Sequence, residues 1–261
     1  MPTTADVTIS LSLRERMQSA RNVLVLTGAG ISAESGVPTF RGGGNTTIWK
    51  GMPFDVISSA RMLQTNLPAV WEWFNYRRRL LAALKPNAGH LALARWHDRF
   101  DDFTLVTQNV DNLHQLGGSR EVTELHGNIW RARCVECSTR YNLFENEVVG
   151  DFKEHEVDES DEELPPAPIC EACGNSLRPD VVLFGELLPP GVFERATEKA
   201  QQCELCFVVG TSALVYPAAS LPEIAAGAGA YIVEVNPERT PLSDLCDEVI
   251  MGKAGEVLPL L

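Results

Sequence analysis

The chain has 261 residues, 44% of them hydrophobic, and a formal charge of −13, which allows one large core with a smaller appendage. That charge speaks against nucleic-acid binding, because the mean field repels a phosphate backbone, and suits basic partners instead. No apolar run is long enough to span a bilayer, and the start Met1-Pro2-Thr3-Thr4-Ala5-Asp6 has neither a basic segment nor an apolar signal core, so the expectation is a soluble, cytoplasmic protein with no membrane contact.

Taken in chain order, short apolar or β-branched runs at residues 23–26, 103–107, 121–125, 205–209 and 231–235 predict strands, each followed by polar or glycine-rich turn residues. Helical patterns at 67–84, 88–99 and 190–201 lie between several of them. That alternation predicts an α/β fold, a doubly wound, Rossmann-like parallel sheet with ligands at the carboxyl ends of its strands. The large part is expected over about 15–130 and 178–261, with a small inserted module over about 131–177.

The first strand runs into Gly28-Ala-Gly-Ile-Ser-Ala33. This fits the G-x-G-x-x-A form of the dinucleotide fingerprint, in which glycines bring backbone N–H groups to a diphosphate. A tight turn without ligand is the plain alternative. No acidic residue closes a second strand about twenty positions on, as hydride-transfer enzymes require. The loop continues instead to Gly36-Val-Pro-Thr-Phe-Arg-Gly42, which suggests a dinucleotide bound for other chemistry.

Seven cysteines are spread unevenly. Cys134-x-x-Cys137 and Cys170-x-x-Cys173 can supply four thiolates to one structural zinc, and a disulfide framework is the weaker reading without a secretory signal. Between the pairs lies Asp151–Glu163, with eight carboxylates in thirteen residues, a composition that cannot bury a core. Cys203 and Cys206 have no second pair and read as packed thiols. His90, His97, His114 and His155 read as structural or surface residues.

Several segments together resemble the sirtuin family of NAD-dependent protein lysine deacylases: Gly28–Ser32 with Ser35-Gly-Val-Pro-Thr-Phe-Arg41, Thr107-Gln-Asn-Val-Asp-Asn-Leu-His114, Leu125-His-Gly127, the two cysteine pairs, Val182-Leu-Phe-Gly-Glu186 and Gly210-Thr-Ser-Ala-Leu-Val-Tyr-Pro-Ala218. The resemblance implies cleavage of the nicotinamide–ribose bond, attack by the acyl oxygen of an acyl-lysine to give an alkylimidate, and capture of the acyl group by a ribose hydroxyl. The products are nicotinamide and O-acyl-ADP-ribose.

On that resemblance His126 is the base, an imidazole suited to neutral pH; by residue type alone, a structural His before Gly is as good a reading. Asn109 joins it in catalysis and, with Gln108 and Asp111, holds the ribose and the nicotinamide carboxamide. Helix capping is an alternative for Asn109 and Asp111, and both can hold. Gly28, Ala29, Gly30, Ser32, Phe40, Arg41, Gly210, Thr211, Ser212, Asn236 and Ala254 complete the NAD contacts. Zinc is bound by Cys134, Cys137, Cys170 and Cys173. Val182, Phe184, Gly185 and Glu186 pair with the backbone of an acyl-lysine protein as an added strand, or form an ordinary buried strand. The oligomeric state stays open, with a monomer favoured. ADP-ribosyl transfer on the same site, or an idle NAD or acyl-peptide binding module, are the alternative functions.

Within 67–84, Val70, Trp73, Phe74, Leu80, Leu81 and Leu84 form an apolar stripe on which Arg77 falls, while Glu72, Arg78 and Arg79 lie off it and read as solvated. Relatives that remove succinyl or malonyl groups carry Tyr-x-x-Arg in this helix and Thr before the Phe-Arg pair. Thr39 and Arg77 match that pattern, but Phe74 stands where the tyrosine is expected.

Overall fold

A computed structural model describes residues 7–38, 48–143 and 166–261. The chain divides into two compact units: Met1–Gly43 with Leu84–Leu125 and Leu188–Leu261, and Gly44–Ala83 with His126–Leu187. The second is larger than the 131–177 module read from the sequence, because the helix Leu67–Ala82 packs onto its small sheet, with Trp71 donating its indole N–H to the Leu177 carbonyl at 2.7 Å.

The first unit holds a six-stranded parallel sheet in the order Glu248–Met251, Tyr231–Asn236, Leu205–Val209, Asn22–Thr27, Asp102–Thr107, Val122–Glu124. Five of these strands follow the apolar runs seen in the sequence; Glu248–Met251 was not among them. The strand interiors are buried on both faces, as expected when helices cover both sides of a parallel sheet. Val25, Phe207 and Val233 pack on one side with Trp96 of the helix Ala88–Trp96, and Leu24, Cys206 and Ile232 on the other with Ala196 and Ala200 of the helix Val192–Gln202.

From Asn22–Thr27 the chain proceeds outward to Asp102–Thr107 and Val122–Glu124, then returns to Leu205–Val209 and builds outward the other way. The reversal falls between Asn22–Thr27 and Leu205–Val209. In open α/β sheets that is where strand ends leave a crevice for ligands.

The second unit is built on an antiparallel sheet of Arg140–Asn142, Gly127–Cys134 and Leu177–Val181. Its core joins Trp71, Ala132, Leu143 and Leu177 to the buried Cys134 and Cys170. No helix among the described residues is long and apolar enough to cross a membrane.

Candidate active site

At the reversal point the loops leaving Thr27 and Val209 touch backbone to backbone. The Gly28 N–H donates to the Val209 carbonyl at 3.0 Å, and the Gly30 N–H to the Gly210 carbonyl at 2.7 Å. A Cβ on Gly30 would lie 2.6 Å from Gly210 Cα, and one on Gly210, whose φ is +59°, would lie 2.4 Å from the Ile31 nitrogen. The glycines are therefore needed for protein packing, and the amides of Gly28 and Gly30 are spent inside the fold. Any contact of these glycines with a dinucleotide is made without those two N–H groups. Among the described residues, the amides of Ala29, Thr211 and Ser212 donate to no backbone acceptor, which leaves these as the donors an anion would meet.

Side chains from three strand ends tie this region together. Gln108 donates to Thr211 Oγ1 at 3.0 Å, and Asn236 donates to the Thr211 carbonyl at 3.3 Å. The Asn109 amide donates to the Gly28 carbonyl at 3.0 Å and to Ser32 Oγ at 3.2 Å, and Ser32 donates to Asp111 Oδ2 at 2.7 Å. Asp111 also accepts the Leu113 N–H at 2.9 Å, the first amide of the short helix Leu113–Leu116, whose N-cap position is Asn112. Asn109 makes no cap; its amide is turned toward the glycine loop instead. Ala254 opens the short helix Ala254–Val257, buried against Gly89. Thr39, Phe40 and Arg41 lie outside the described residues, as do Asp151–Glu163 and His155.

Beneath this layer are two buried imidazoles, His90 and His114, with ring centroids 4.9 Å apart. Burial pulls His90 down to about 4; burial, then the neighbouring His90, pulls His114 down to about 3. Both are neutral at physiological pH.

His126 belongs to the second unit. Its carbonyl accepts the Val182 N–H at 2.9 Å, and Gly127, at φ +79°, pairs with Val181 so closely that a Cβ would lie 2.1 Å from the Asp180 carbonyl oxygen. The imidazole is half-buried at the start of this strand.

The segment Val182–Glu186 differs from the simple pairing edge expected. Phe184 donates its N–H to the Ser58 carbonyl and accepts from Ala60, both at 2.9 Å. Glu186 receives both terminal nitrogens of Arg178, at 2.5 and 2.8 Å, and the Leu183 N–H at 2.8 Å. Long-range pairing with 58–60 thus occupies the backbone of Phe184, and Glu186 is a brace. Among the described residues, the amides of Gly185 and Leu187 have no backbone partner, and Leu187 is 94% exposed.

In the helix Leu67–Ala82, Phe74 is fully buried and Arg77 is half-buried with its guanidinium 5.8 Å from the Trp73 ring centroid. Two expectations fail here. Leu80 is 47% exposed, and Arg78, read as solvated, is 2% exposed. Arg78 donates to the Ile129 carbonyl at 2.8 Å and to Asn75, and lies over Trp71. Trp71, Phe74, Arg78 and Leu81 form a stripe of their own at helical spacing; the charge of Arg78 concealed it.

The four cysteines converge. Their sulfurs all lie within 4.8 Å of one another, with Cys134 to Cys173 at 3.4 Å and Cys137 to Cys170 at 3.6 Å. Tetrahedral zinc at a Zn–S distance of about 2.3 Å would space its sulfurs by about 3.8 Å, so the donor set fits that ion.

The Sir2 family model matches residues 28–217. The chain belongs to the Sir2 family. It is 44% identical over 234 residues to an NAD-dependent protein deacylase of Aquifex aeolicus, covering 90% of this chain and 91% of that one. It is 43% identical over 251 residues to NAD-dependent protein deacylase 2 of Pyrobaculum aerophilum, covering 96% and 94%. Among solved structures, a Sir2 homologue in complex with NAD superposes with a TM-score of 0.82 at 37% identity, covering 97% of this chain and 92% of that one. A Sir2 protein bound to acetylated peptide gives 0.80 at 28%, covering 95% of each. In this Sir2-family chain, the first unit brings together Gly28, Ala29, Gly30, Ser32, Gln108, Asn109, Asp111, Gly210, Thr211, Ser212 and Asn236, whereas His126, Cys134, Cys137, Cys170, Cys173, Phe74, Arg77 and 182–186 belong to the second.

Proposed function

We propose that the protein is an NAD-dependent protein lysine deacylase and that its own residues divide the work as follows. When bound, NAD supplies the ribosyl carbon that receives the acyl oxygen as nicotinamide leaves. The amides of Ala29, Thr211 and Ser212 meet the diphosphate, and Asn236 meets the adenosine ribose. Asn109 and Asp111, an amide and a carboxylate already fixed through Ser32, orient the nicotinamide carboxamide, a group that needs both a donor and an acceptor. Gln108 is held by Thr211 beside the inner ribose. His126 takes the proton from the ribose hydroxyl that captures the acyl group. The substrate chain pairs with the edge at 185–187.

The observation that carries this reading is the polar set at the sheet reversal of a Sir2-family chain: Gln108, Asn109, Asp111, Thr211 and Asn236 are each fixed by neighbours from another strand end or from the glycine loop. Four converging thiols suit a structural zinc with no open coordination position, and a reducing compartment such as the cytoplasm suits seven unpaired cysteines. His126→Ala tests the assignment of the base: deacylation is expected to fall by a factor of about a hundred or more with the fold intact. Near-normal turnover would remove His126 from the mechanism.

Arg77 gives the acyl pocket a cation that pairs with a dicarboxylic acyl group, while Phe74 lacks the hydroxyl that would add a hydrogen bond. Succinyl-lysine is then a substrate secondary to acetyl-lysine. Arg77→Met is expected to abolish desuccinylation and spare deacetylation; an unchanged succinyl-to-acetyl ratio would rule the pocket out.

A further inference from the structure

We infer that His114, which the reading above leaves without a task, is a positioning residue for Asn109, acting through the hydroxyls of Thr27 and Thr107. The inference rests on the reading of Asn109 as a contact for the nicotinamide end of NAD. His114 Nε2 lies 2.9 Å from Thr27 Oγ1, Thr27 Oγ1 lies 2.8 Å from Thr107 Oγ1, and Thr107 Oγ1 accepts the Asn109 backbone N–H at 3.0 Å. All three relay side chains are buried, at 1%, 0% and 3% exposure. Thr27 and Thr107 are register partners at the carboxyl ends of adjacent strands, so the relay crosses from the turn Leu113–Leu116 under the glycine loop to the first residues of the segment that carries Asn109.

Two proton arrangements are open to the relay. A hydroxyl has one proton to give. With Thr27 donating to Thr107, His114 Nε2–H donates to Thr27; in the other tautomer both hydroxyls turn round, and Thr107 still accepts from Asn109. In the second arrangement the Thr107 proton points to Thr27 and its rotor is set by the imidazole two steps away; in the first, Thr107 serves the relay as acceptor from both Thr27 and Asn109. Among the described residues, the other ring nitrogen, His114 Nδ1, is buried without a partner. A polar ring with an unsatisfied atom is an unfavourable way to fill a core position that an aliphatic side chain would fill without loss, so its use points to the one bond it does make.

The Asn109 side chain is fastened separately, to Gly28 and Ser32. Without the relay Thr107 keeps the Asn109 N–H but its hydroxyl is no longer held from the Thr27 side, and a displacement of about 1 Å in a positioning group is enough to cost about a hundredfold in rate. The consequence belongs to nicotinamide release. Peptide binding, assigned to 185–187, is not touched.

The experiment uses the full chain and compares His114→Leu, His114→Gln, Thr27→Val and the double variant His114→Leu/Thr27→Val, with Asn109→Ala as reference. It measures kcat for nicotinamide release, KM for an acetyl-lysine peptide, and Tm. We expect His114→Leu and Thr27→Val each to lower kcat about tenfold or more with peptide KM changed less than about twofold. The double variant is expected to be no worse than the weaker single one, and His114→Gln, which keeps an N–H donor, to recover most of the loss. Wild-type kcat in either single variant, or additive losses that Gln does not rescue, would overturn the relay. Should His114→Leu fail to fold, the near-isosteric Thr27→Val decides alone. If Asn109→Ala retains nicotinamide release, the role of Asn109 falls and the relay with it; if Asn109→Ala is dead and Thr27→Val is normal, only the relay falls.

Discussion

In the first unit the polar core is made mostly of neutral groups: Thr27, Thr107, Ser32, His90 and His114 bond or stack with one another, and the buried carboxylates Asp111 and Glu234 accept from hydroxyls. The second unit adds ionic clusters to its polar groups. Asp180 accepts Arg131, Arg133 and Arg140 at 3.2 to 3.4 Å, and Arg178 pairs with Glu186. Arg133 is the register partner of both Arg140 and Arg178, so three like charges lie in one cross-strand row, an arrangement that needs those carboxylates. The contrast separates two tasks. Short, directional neutral bonds fix loops around a ligand whose recognition depends on angles, whereas ion pairs and thiols hold together a small sheet with a limited apolar core.

The largest effect that would sharpen this comparison is metal removal. Structural zinc supplies on the order of 10 kcal/mol to small zinc-folded modules, so stripping the ion from Cys134, Cys137, Cys170 and Cys173 should abolish amide protection at 127–134 and 177–181 while leaving it at 22–27 and 205–209. Elemental analysis should give one zinc per chain. Activity unchanged after complete removal would contradict a structural metal.

Next in size is the backbone contact of the first unit. Gly30→Ala forces a methyl against Gly210 Cα and should destabilise by about 3 kcal/mol, the upper range for overpacking. Thermal melts and NAD titration would register it together, and a variant with wild-type stability would show that the two loops part easily.

Acid should act mainly on the first unit. His90 and His114 have folded-state pKa values of about 4 and 3, below the ordinary 6.5. The unfolded chain therefore takes up protons first as pH falls. Stability from these groups is complete above about 6.5 and is lost progressively toward pH 4 and below, roughly 3 kcal/mol from His90 alone. Unfolding followed from pH 7 to 4.5 in wild type and in His90→Gln should show a shallower slope in the variant; equal slopes would place the titration elsewhere.

The smallest change belongs to the rim of the ionic unit. Arg140 is 64% exposed at its side chain, so Arg140→Gln should shift stability by less than about 1 kcal/mol. Asp180→Asn, which leaves three guanidinium groups without their shared carboxylate, should cost more. The reverse order would mean that the row is held by something other than Asp180.

Much of this arrangement was legible in the sequence. Apolar runs at 23–26, 103–107, 205–209 and 231–235 are long enough to mark buried parallel strands, and the cysteine spacing announced a four-thiolate site. Glu248–Met251 is hard to see because its apolar run, Val249-Ile250-Met251, is only three residues long and the edge strand is partly exposed. The burial of Arg78 is hidden in the sequence because charge signals solvent, although Trp71, Phe74 and Leu81 mark the face it shares. Neither the pairing of Phe184 with residues 58–60 nor the contact of Gly30 with Gly210 leaves a local signal, since each joins segments more than a hundred residues apart.

The central claim is tested most directly by the identity of the products. The protein is incubated with NAD and an acetyl-lysine peptide and the mixture is read by mass spectrometry. Deacetylated peptide, nicotinamide and O-acetyl-ADP-ribose are expected in equal amounts, none of them formed without NAD. Peptide that keeps its acetyl group while ADP-ribose appears on an acceptor, or an unchanged mixture from folded, zinc-loaded protein, would contradict it.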